Sequence, residues 1–351
     1  LALAVGLSGS PDSGALGGPA AVCPAAASAA AGTLFQRAYG GDEDEGWLQV
    51  MSAPDGGFWL VGLAGPNGSP DIYVVRLDAL GNMVWSRTYG GPQSERVNPV
   101  LATPDGGILL AGSTASFGAG GSDIYLIRLN ASGDVLWSRT YGGSDTHEWV
   151  SKAITTPDGG LLLAGGIRPM SPEFADSDTL LVKLDASGNI QWSRKYNLYF
   201  GCLPDHSCEG ASSLTQTSDG NFIVGQTLYY TDYRTGAENS RGLLLKVDSS
   251  GNVLNFWVLD DQFAKTWIND LLATADGGVL IWGRTAMGGL LARLDTSGTV
   301  TWKQGYTFPE KSGASVILKT PDGGFLLVGS TFLTGPLSGY AVKISSIGDV
   351  Q

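Results

Sequence analysis

Short runs of apolar residues, separated by turns rich in proline, aspartate and glycine, recur along most of the chain. One run at residues 100–102 is followed by Thr-Pro-Asp-Gly-Gly at 103–107 and by a second apolar run at 108–111. Proline sets the first backbone angle of such a turn, aspartate hydrogen-bonds the nearby backbone, and glycine accepts a positive φ. Two apolar runs joined in this way predict a β-hairpin.

This turn occurs in six copies, which begin at residues 54, 104, 157, 218, 275 and 321. The copies lie 46 to 61 residues apart, a period typical of repeat architectures. The third copy belongs to a unit with four short strand patterns, at about 150–155, 161–165, 179–185 and 190–196. Four sequential strands in about 50 residues are typical of a propeller blade. The sequence therefore predicts an all-β fold, a six-bladed β-propeller of four-stranded blades.

Two further columns of residues align across the repeats. The third predicted strand of each unit carries one basic residue: Arg76, Arg128, Lys183, Lys246, Arg293 and Lys343. The fourth carries a tryptophan in most units: Trp85, Trp137, Trp192 and Trp302. We interpret the tryptophans as packing wedges between blades. The basic residues are either solvated or partners of a column of glutamates, Glu45, Glu95, Glu148 and Glu209.

The sixth unit supplies only three of its strands, and a match to the fourth is found near the start of the chain. Residues 33–41 match residues 83–91, and Phe35 takes the tryptophan position. We therefore predict that an N-terminal strand with Leu34, Phe35 and Tyr39 closes the last blade, which removes an exposed sheet edge. The alternative is that this strand comes from a neighbouring molecule.

The first 31 residues differ in composition from the repeats. They contain no Lys, Arg or Glu and are dominated by Ala, Gly, Ser and Pro. The predicted organisation is an extension at 1–31 and a propeller at 32–351. A free tail of this kind is poorly ordered unless something holds it, so we expect it to lie across its own ring or to dock on a neighbouring subunit. The residues predicted for an inter-subunit contact are Leu1, Leu3, Val5, Leu7 and Cys23.

Composition and charge restrict the function. The chain has 351 residues, 52 glycines, 15% charged residues and a net charge of −12. Nucleic-acid binding is disfavoured because phosphate affinity requires a basic face, and the apolar start of the chain is too short to span a membrane. The two histidines, His147 and His206, fall in different repeats, and phosphate-binding or nucleophile motifs are absent. We therefore predict no enzymatic activity and no organic cofactor.

An acidic residue lies nine positions before the turn in four units, at Glu45, Glu95, Glu148 and Glu209. If this position opens the first strand, the carboxylates approach one mouth of the central channel. Hard cations such as Ca²⁺ bind clustered carboxylate and carbonyl oxygens, so a Ca²⁺ site is one prediction. The other is that each glutamate bonds the backbone amides of its own loop.

The connections between the second and third strands vary in length, and variable loops on a rigid scaffold are common binding sites. The longest, at about 226–241, contains Tyr229, Tyr230, Tyr233 and Arg234. These residues predict either a contact patch for a glycan or a protein, or a loop that folds onto its neighbour.

The repeats also resemble those of a known group of proteins. Tyr-Gly-Gly at 141–143, Asp-Gly-Gly at 158–160 and Leu-Asp-Ala-Ser-Gly-Asn-Ile-Gln-Trp at 184–192 are similar to propeller repeats of bacterial and archaeal secreted proteins. The resemblance covers residues 33–351 and implies an extracellular or cell-surface location. It implies no activity.

In such a location, Cys202 and Cys208 are expected to form a local disulfide. Zinc binding with His206 is the alternative, although one histidine and two cysteines leave zinc one ligand short. Cys23 is then the odd cysteine, which suggests an intermolecular bridge, a pairing with one of the other two cysteines, or a buried thiol.

The leading functional prediction is a non-enzymatic extracellular structural protein, a filament, sheath or surface-layer subunit. It would self-associate through its N-terminal extension into a homo-oligomer or polymer. The alternative prediction is a propeller that recognises a glycan or a protein through the connections between its second and third strands.

Overall fold

The structure is a computed structural model, and it describes residues 37, 39, 45–65, 68–171, 177–197, 208–232, 237–259, 266–285, 288–306, 313–331 and 338–345. The chain divides into two units, Leu1–Gln36 and Arg37–Gln351, and every described residue belongs to the second unit. Within these ranges, no helix has the length and apolar character needed to cross a membrane.

The described residues form 23 strands in six sheets. Blade by blade, the strands are β1 (Glu45–Ser52), β2 (Phe58–Ala64), β3 (Asp71–Leu77) and β4 (Met83–Tyr89); β5 (Glu95–Ala102), β6 (Ile108–Thr114), β7 (Asp123–Leu129) and β8 (Val135–Tyr141); β9 (Thr146–Thr155), β10 (Leu161–Pro169), β11 (Asp178–Leu184) and β12 (Ile190–Tyr196); β13 (Cys208–Gln216), β14 (Phe222–Asp232), β15 (Ala237–Val247) and β16 (Val253–Leu259); β17 (Trp267–Ala273), β18 (Val279–Thr285), β19 (Gly288–Leu294) and β20 (Val300–Tyr306); and β21 (Gly313–Lys319), β22 (Phe325–Thr331) and β23 (Ser338–Ile344). Consecutive strands pair antiparallel, and the sixth sheet has three described strands. The prediction of an all-β, six-bladed propeller with four-stranded blades is confirmed.

The first hairpin of each blade turns as its sequence predicts. In the second blade, the carbonyl of Thr103 accepts a hydrogen bond from the amide of Gly106 (3.0 Å), and the amide of Thr103 donates to the carbonyl of Gly107 (3.1 Å). Gly106 has a φ of +83°, and Oδ1 of Asp105 accepts from the Gly107 amide (3.3 Å). A tight turn followed by a glycine in the left-handed region is a common three-residue hairpin connection. The repeated Asp-Gly-Gly therefore fixes the register of the two inner strands.

The basic residue of each third strand forms an ion pair with the turn aspartate of its own blade. The pairs are Arg76–Asp55, Arg128–Asp105, Lys183–Asp158, Lys246–Asp219, Arg293–Asp276 and Lys343–Asp322. In the third blade, Nζ of Lys183 donates to Oδ2 of Asp158 (2.7 Å) and to the carbonyl of Leu184 (3.0 Å). The predictions of solvated basic residues or of pairing with the glutamates were wrong, because these side chains point to the turn end of the sheet and the glutamates begin the first strand at the other end.

The core consists of layers between neighbouring blades. The layer between the first two blades contains the buried side chains of Trp59, Val74, Ile108 and Ile127. Hydrogen bonds cross the same junctions, because the tyrosine that ends a fourth strand donates to a glycine carbonyl in the next blade. These pairs are Tyr89–Gly133, Tyr141–Gly188 and Tyr196–Gly251, each at 2.6 Å. Packing and a repeated hydroxyl contact thus join one blade to the next.

Each innermost strand has a β-bulge at the same position, a feature that the sequence analysis did not predict. The unpaired residues are Leu48, Asn98 with Pro99, Ser151, Ser212, Asn269 and Ser315. A bulge bends its strand and re-aims the neighbouring side chains. The residues that follow the bulges are therefore placed to contact other blades at the centre of the ring.

Candidate functional site

Polar side chains beside these bulges hydrogen-bond the inner edge of the next blade. Oε1 of Gln49 accepts from the amide of Val100 (3.0 Å), and its Nε2 donates to the carbonyl of the same residue (2.9 Å). In the same way, Oδ2 of Asp270 accepts from the amide of Ile317 (3.2 Å). Backbone groups on a free strand edge need such partners, so these contacts stabilise the ring.

The two members of the predicted acidic column whose side chains the structure describes are buried rather than open to a channel. Glu95 and Glu148 are 0% and 3% exposed. Oε1 of Glu95 accepts from Oγ1 of Thr114 (2.8 Å), and Oε1 of Glu148 accepts from the Gly143 amide (3.3 Å). Oε2 of Glu95 likewise accepts from the Gly91 amide (3.3 Å). For both glutamates, the contact agrees with the alternative prediction, in which the glutamate bonds the backbone of its own loop.

Glu148 faces Asp123 of the preceding blade across Gly142. A side chain on Gly142 would clash with Oδ1 of Asp123 and would come within 2.6 Å of Oε2 of Glu148. Both oxygens are buried, and neither accepts a hydrogen bond from the described residues. Burial raises the pKa of Glu148, and the nearby Asp123 carboxylate raises it further. The first glycine of Tyr-Gly-Gly therefore has to lack a side chain, because two carboxyl groups pack against its Cα.

The same arrangement recurs at the preceding junction, where a side chain on Gly90 would meet Asp71 and Glu95. Within the described part of the chain, no group of three or more His, Cys, Asp or Glu side chains is arranged to hold a metal ion. The Ca²⁺ site therefore stays a prediction, and these carboxyl pairs act in the packing of the junctions.

One end of the sheets carries the connections between second and third strands and those between blades, because neighbouring strands run in opposite directions. We call this end the loop face. In the fourth blade, β14 and β15 have 11 residues each, and they remain paired as far as Asp232 opposite Ala237. The long loop predicted here is instead mostly a β-hairpin, since tyrosine and threonine favour extended backbone.

The neighbouring fifth blade is short on the loop face and carries a stacked tryptophan and arginine. Trp267 begins β17, and Arg284 pairs opposite it in β18. Cζ of Arg284 lies 4.4 Å from the centroid of the Trp267 ring, which is a cation–π contact. Both side chains are partly exposed. Sequence analysis missed this Trp267–Arg284 stack, because Trp267 reads as one more apolar strand residue.

The base of the long hairpin is attached to β17 beside this stack. Oγ1 of Thr227 accepts from the Ile268 amide (3.1 Å), and the carbonyl of Ser240 accepts from the Thr266 amide (3.3 Å). Nε1 of Trp267 and Oγ of Ser240 are buried and have no hydrogen-bond partner among the described residues. The long hairpin and the short neighbouring connection therefore form a step with polar groups at its foot.

Many of the residues singled out in the sequence lie outside the described residues. They are Leu1, Leu3, Val5, Leu7, Cys23, Leu34, Phe35, Cys202, Tyr233 and Arg234. Others belong to described strands, but their side chains lie outside the description: Glu45, Glu209, Cys208, Tyr229 and Tyr230. The disulfide, the inter-subunit contact and the tyrosine patch stay predictions.

Comparisons with known proteins support the fold. Residues 103–135 match the profile of a family described as "Domain of unknown function (DUF5122) beta-propeller". Comparison with curated proteins gives no match. The structure is similar to that of a protein of unknown function from Bacteroides caccae, with a TM-score of 0.50 and 16% identity over 84% of this chain and 92% of the other.

Two enzymes have a similar fold. The α-L-arabinofuranosidase Arb93A from Fusarium graminearum, in complex with an iminosugar inhibitor, gives a TM-score of 0.57 with 11% identity, over 86% of this chain and 94% of the other. The polysaccharide lyase Uly1 gives a TM-score of 0.54 with 10% identity, over 85% of this chain and 77% of the other.

These enzymes contradict two sequence-based predictions, namely the self-associating structural protein and the absence of enzymatic activity. The turn residues predicted the propeller fold correctly. The structural role was inferred from the N-terminal extension, and the same fold also occurs in enzymes. The likeness agrees better with the alternative prediction, a propeller that recognises a ligand. At these identities the likeness is one of fold, and the fold is that of a β-propeller repeat protein.

Proposed function

We propose that this protein binds a carbohydrate on its loop face, at the step between the fourth and fifth blades. The observation that carries the proposal is the Trp267–Arg284 stack, in which an aromatic ring and a guanidinium group are both partly exposed. Ligand sites combine aromatic surface with a few placed polar groups, and an aromatic ring can pack against the C–H face of a sugar ring.

The hairpin of the fourth blade supplies a wall beside this stack. β14 has 11 residues and β18 has seven, a difference of four. At about 3.3 Å per residue, four residues raise the hairpin by ~13 Å. Because Thr227 and Ser240 hydrogen-bond β17, the wall is held against the stack. A step of this size can bury one side of a sugar ring.

Neutral polar atoms at the foot of the step favour a hydroxylated ligand. Nε1 of Trp267 and Oγ of Ser240 have no hydrogen-bond partner among the described residues, whereas buried polar groups are normally paired. Because both atoms are buried, water molecules below the surface would pair these groups and would pass hydrogen bonds on to sugar hydroxyls. Tyr229 and Tyr230 belong to β14 of the same hairpin.

The enzymes of similar fold act on carbohydrates, but their likeness to this chain carries no residues across. The proposal therefore rests on the residues of the step. An extracellular or cell-surface location, which the resemblance of the repeats implies, is consistent with a glycan ligand. Fractionation of the source cells, with an antibody against the propeller, tests the location.

We also propose that an N-terminal strand completes the sixth blade. Tyr39 donates from its hydroxyl to the carbonyl of Gly81 (2.7 Å), which is the contact that Tyr89 makes with Gly133. Nη1 of Arg37 donates to the same Gly81 carbonyl (3.0 Å). The tyrosine that ends a fourth strand makes the Tyr39 contact in other blades, so this contact supports an N-terminal strand in that position.

A glycan array probed with the full chain, followed by calorimetry on the best hit, tests the carbohydrate proposal. Trp267→Ala should weaken binding at least tenfold, about 1.4 kcal/mol. Trp149→Ala is the matched control, because Trp149 occupies the same register in the third blade and packs against Gly166. Product analysis in the same samples detects cleavage. An array without hits, or equal binding by Trp267→Ala and wild type, would overturn the proposal.

A further inference from the structure

The charge of Arg284 restricts the kind of carbohydrate that fits this step. Its guanidinium is held over the Trp267 ring at 4.4 Å, and it forms no ion pair with any described carboxylate. Arg76, Arg128 and Arg293 of the basic column, by contrast, are paired with turn aspartates, as Arg76 is with Asp55 at 2.5 Å. Within the described part of the chain, Arg284 is therefore a cation without a carboxylate partner, in a protein whose net charge is −12.

We infer that the ligand of this step is an acidic saccharide whose carboxylate binds Arg284. The inference rests on the proposed carbohydrate function and names the ligand class of that same site. Arginine presents a planar fork of N–H donors that matches the two oxygens of a carboxylate. The Trp267 ring beneath the guanidinium fixes the direction of that fork, so Trp267 orients Arg284 in addition to offering its remaining exposed surface to the sugar ring.

The negative charge of the whole protein bears on which ligands Arg284 can attract. A net charge of −12 repels anionic ligands in general. An unpaired arginine can donate hydrogen bonds to neutral hydroxyls, but its bonds to a carboxylate are stronger, and its charge offsets the repulsion locally. Arg96 and Arg168 also lie at the loop end of their strands, are exposed, and form no ion pair with a described carboxylate. These residues lower the repulsion of an acidic chain on the loop face.

The test uses pairs of oligosaccharides that differ only in charge. Oligogalacturonate and its methyl ester have the same ring and linkage. A sulfated oligosaccharide is the third ligand tested. Calorimetry with the full chain should show at least tenfold tighter binding of the free acid than of the ester. Higher salt should weaken binding of the acid, because screening acts on charge pairs, and should leave binding of the ester unchanged.

Arg284→Gln should remove the preference for the acid, and Arg284→Lys should restore part of it. Arg139→Gln is the matched control, because Arg139 also lies over a tryptophan, Trp137 at 5.9 Å, but on the outer strand β8. This variant should keep the full preference. Equal circular dichroism spectra and melting temperatures verify that each variant is folded.

The outcomes separate this inference from the proposed function. Binding of ester and acid with equal affinity, or an array whose hits are all neutral, overturns the acidic ligand and leaves the carbohydrate proposal standing. A preference that persists in Arg284→Gln overturns the role of Arg284. If the sulfated oligosaccharide binds most tightly, the inference that Arg284 recognises a carboxylate is wrong, and the acidic group is a sulfate. Absence of any glycan binding overturns both proposals.

Discussion

Nζ of Lys152, in the third blade, lies 2.9 Å from Oδ1 of Asp270, in the fifth blade. Asp270 is buried, and its other oxygen accepts from the amide of Ile317 in the sixth blade. The fourth blade has Ser213 in the equivalent position after the bulge, and the Lys152–Asp270 contact joins the blades on either side of it. One carboxylate thus connects three blades at the centre of the ring.

Removal of this carboxylate should destabilise the ring. Asp270→Ala leaves Lys152 without its partner and the Ile317 amide without an acceptor. Loss of one member of a buried pair costs roughly 3–5 kcal/mol, and we expect the lower end, because the Lys152 side chain is 31% exposed. Urea unfolding measures the change. Asp270→Asn keeps an acceptor for Ile317 and should cost less, so equal losses in the two variants would contradict this account.

The blade count could be predicted from sequence because turns are local. Asp105 and Gly106 specify their turn through contacts within five residues, whatever the rest of the chain does. A repeated local signal therefore gives the number of hairpins and the period. The alternation of strand and turn then leaves a propeller as the simplest way to bury every sheet.

The candidate site could not be predicted in the same way, because it depends on pairing between strands. Trp267 and Arg284 are 17 positions apart, and only the register of β17 with β18 brings them together. The bulges of the inner strands leave no composition signal, since their residues range from Leu48 to Asn269. The predicted loop became a hairpin because pairing with Ser240 and its neighbours continued the ladder.

Gly142 should not tolerate a side chain. Gly142→Ala places a methyl group against the carboxyl groups of Asp123 and Glu148, and overpacking of this kind costs roughly 1–3 kcal/mol. Gly305→Ala is the control, because nothing lies within 4 Å of an added Cβ there. Thermal unfolding should show a lower melting temperature for Gly142→Ala alone. Asp123→Ala in the same chain should recover part of the loss.

Glu148 should make stability fall as the pH rises. Burial and Asp123 raise its pKa above the ordinary value of 4.5, so the folded state holds this proton more tightly than the unfolded state. Stability is then lost as the pH rises from about 4.5 through the folded pKa. In Glu148→Gln this loss is absent. The difference in unfolding free energy between wild type and variant, measured from pH 4 to 8, should therefore change with pH, and a flat difference would refute the assignment.

Asp158 should have the opposite effect at lower pH. The hydrogen bond from Lys183 is the main cause that lowers the pKa of Asp158 from 3.8 to about 2. Its contribution to stability is complete above pH 3.8 and is lost as the pH falls through about 2. Asp158→Asn should therefore cost most above pH 4 and least near pH 2, as seen in urea titrations at each pH. In a Lys183→Met background the substitution should have a smaller effect at every pH.

Tyr39 provides a test of blade closure that does not require residues 1–36. Its hydroxyl bonds the Gly81 carbonyl as that of Tyr89 bonds Gly133, and one such hydrogen bond contributes about 1 kcal/mol. If an N-terminal strand completes the sixth blade, Tyr39→Phe and Tyr89→Phe should lower the free energy of unfolding by similar amounts. Chemical denaturation measures both in the same buffer. A loss in Tyr89→Phe together with no change in Tyr39→Phe would mean that Tyr39 does not fasten the ring, and closure would need another strand.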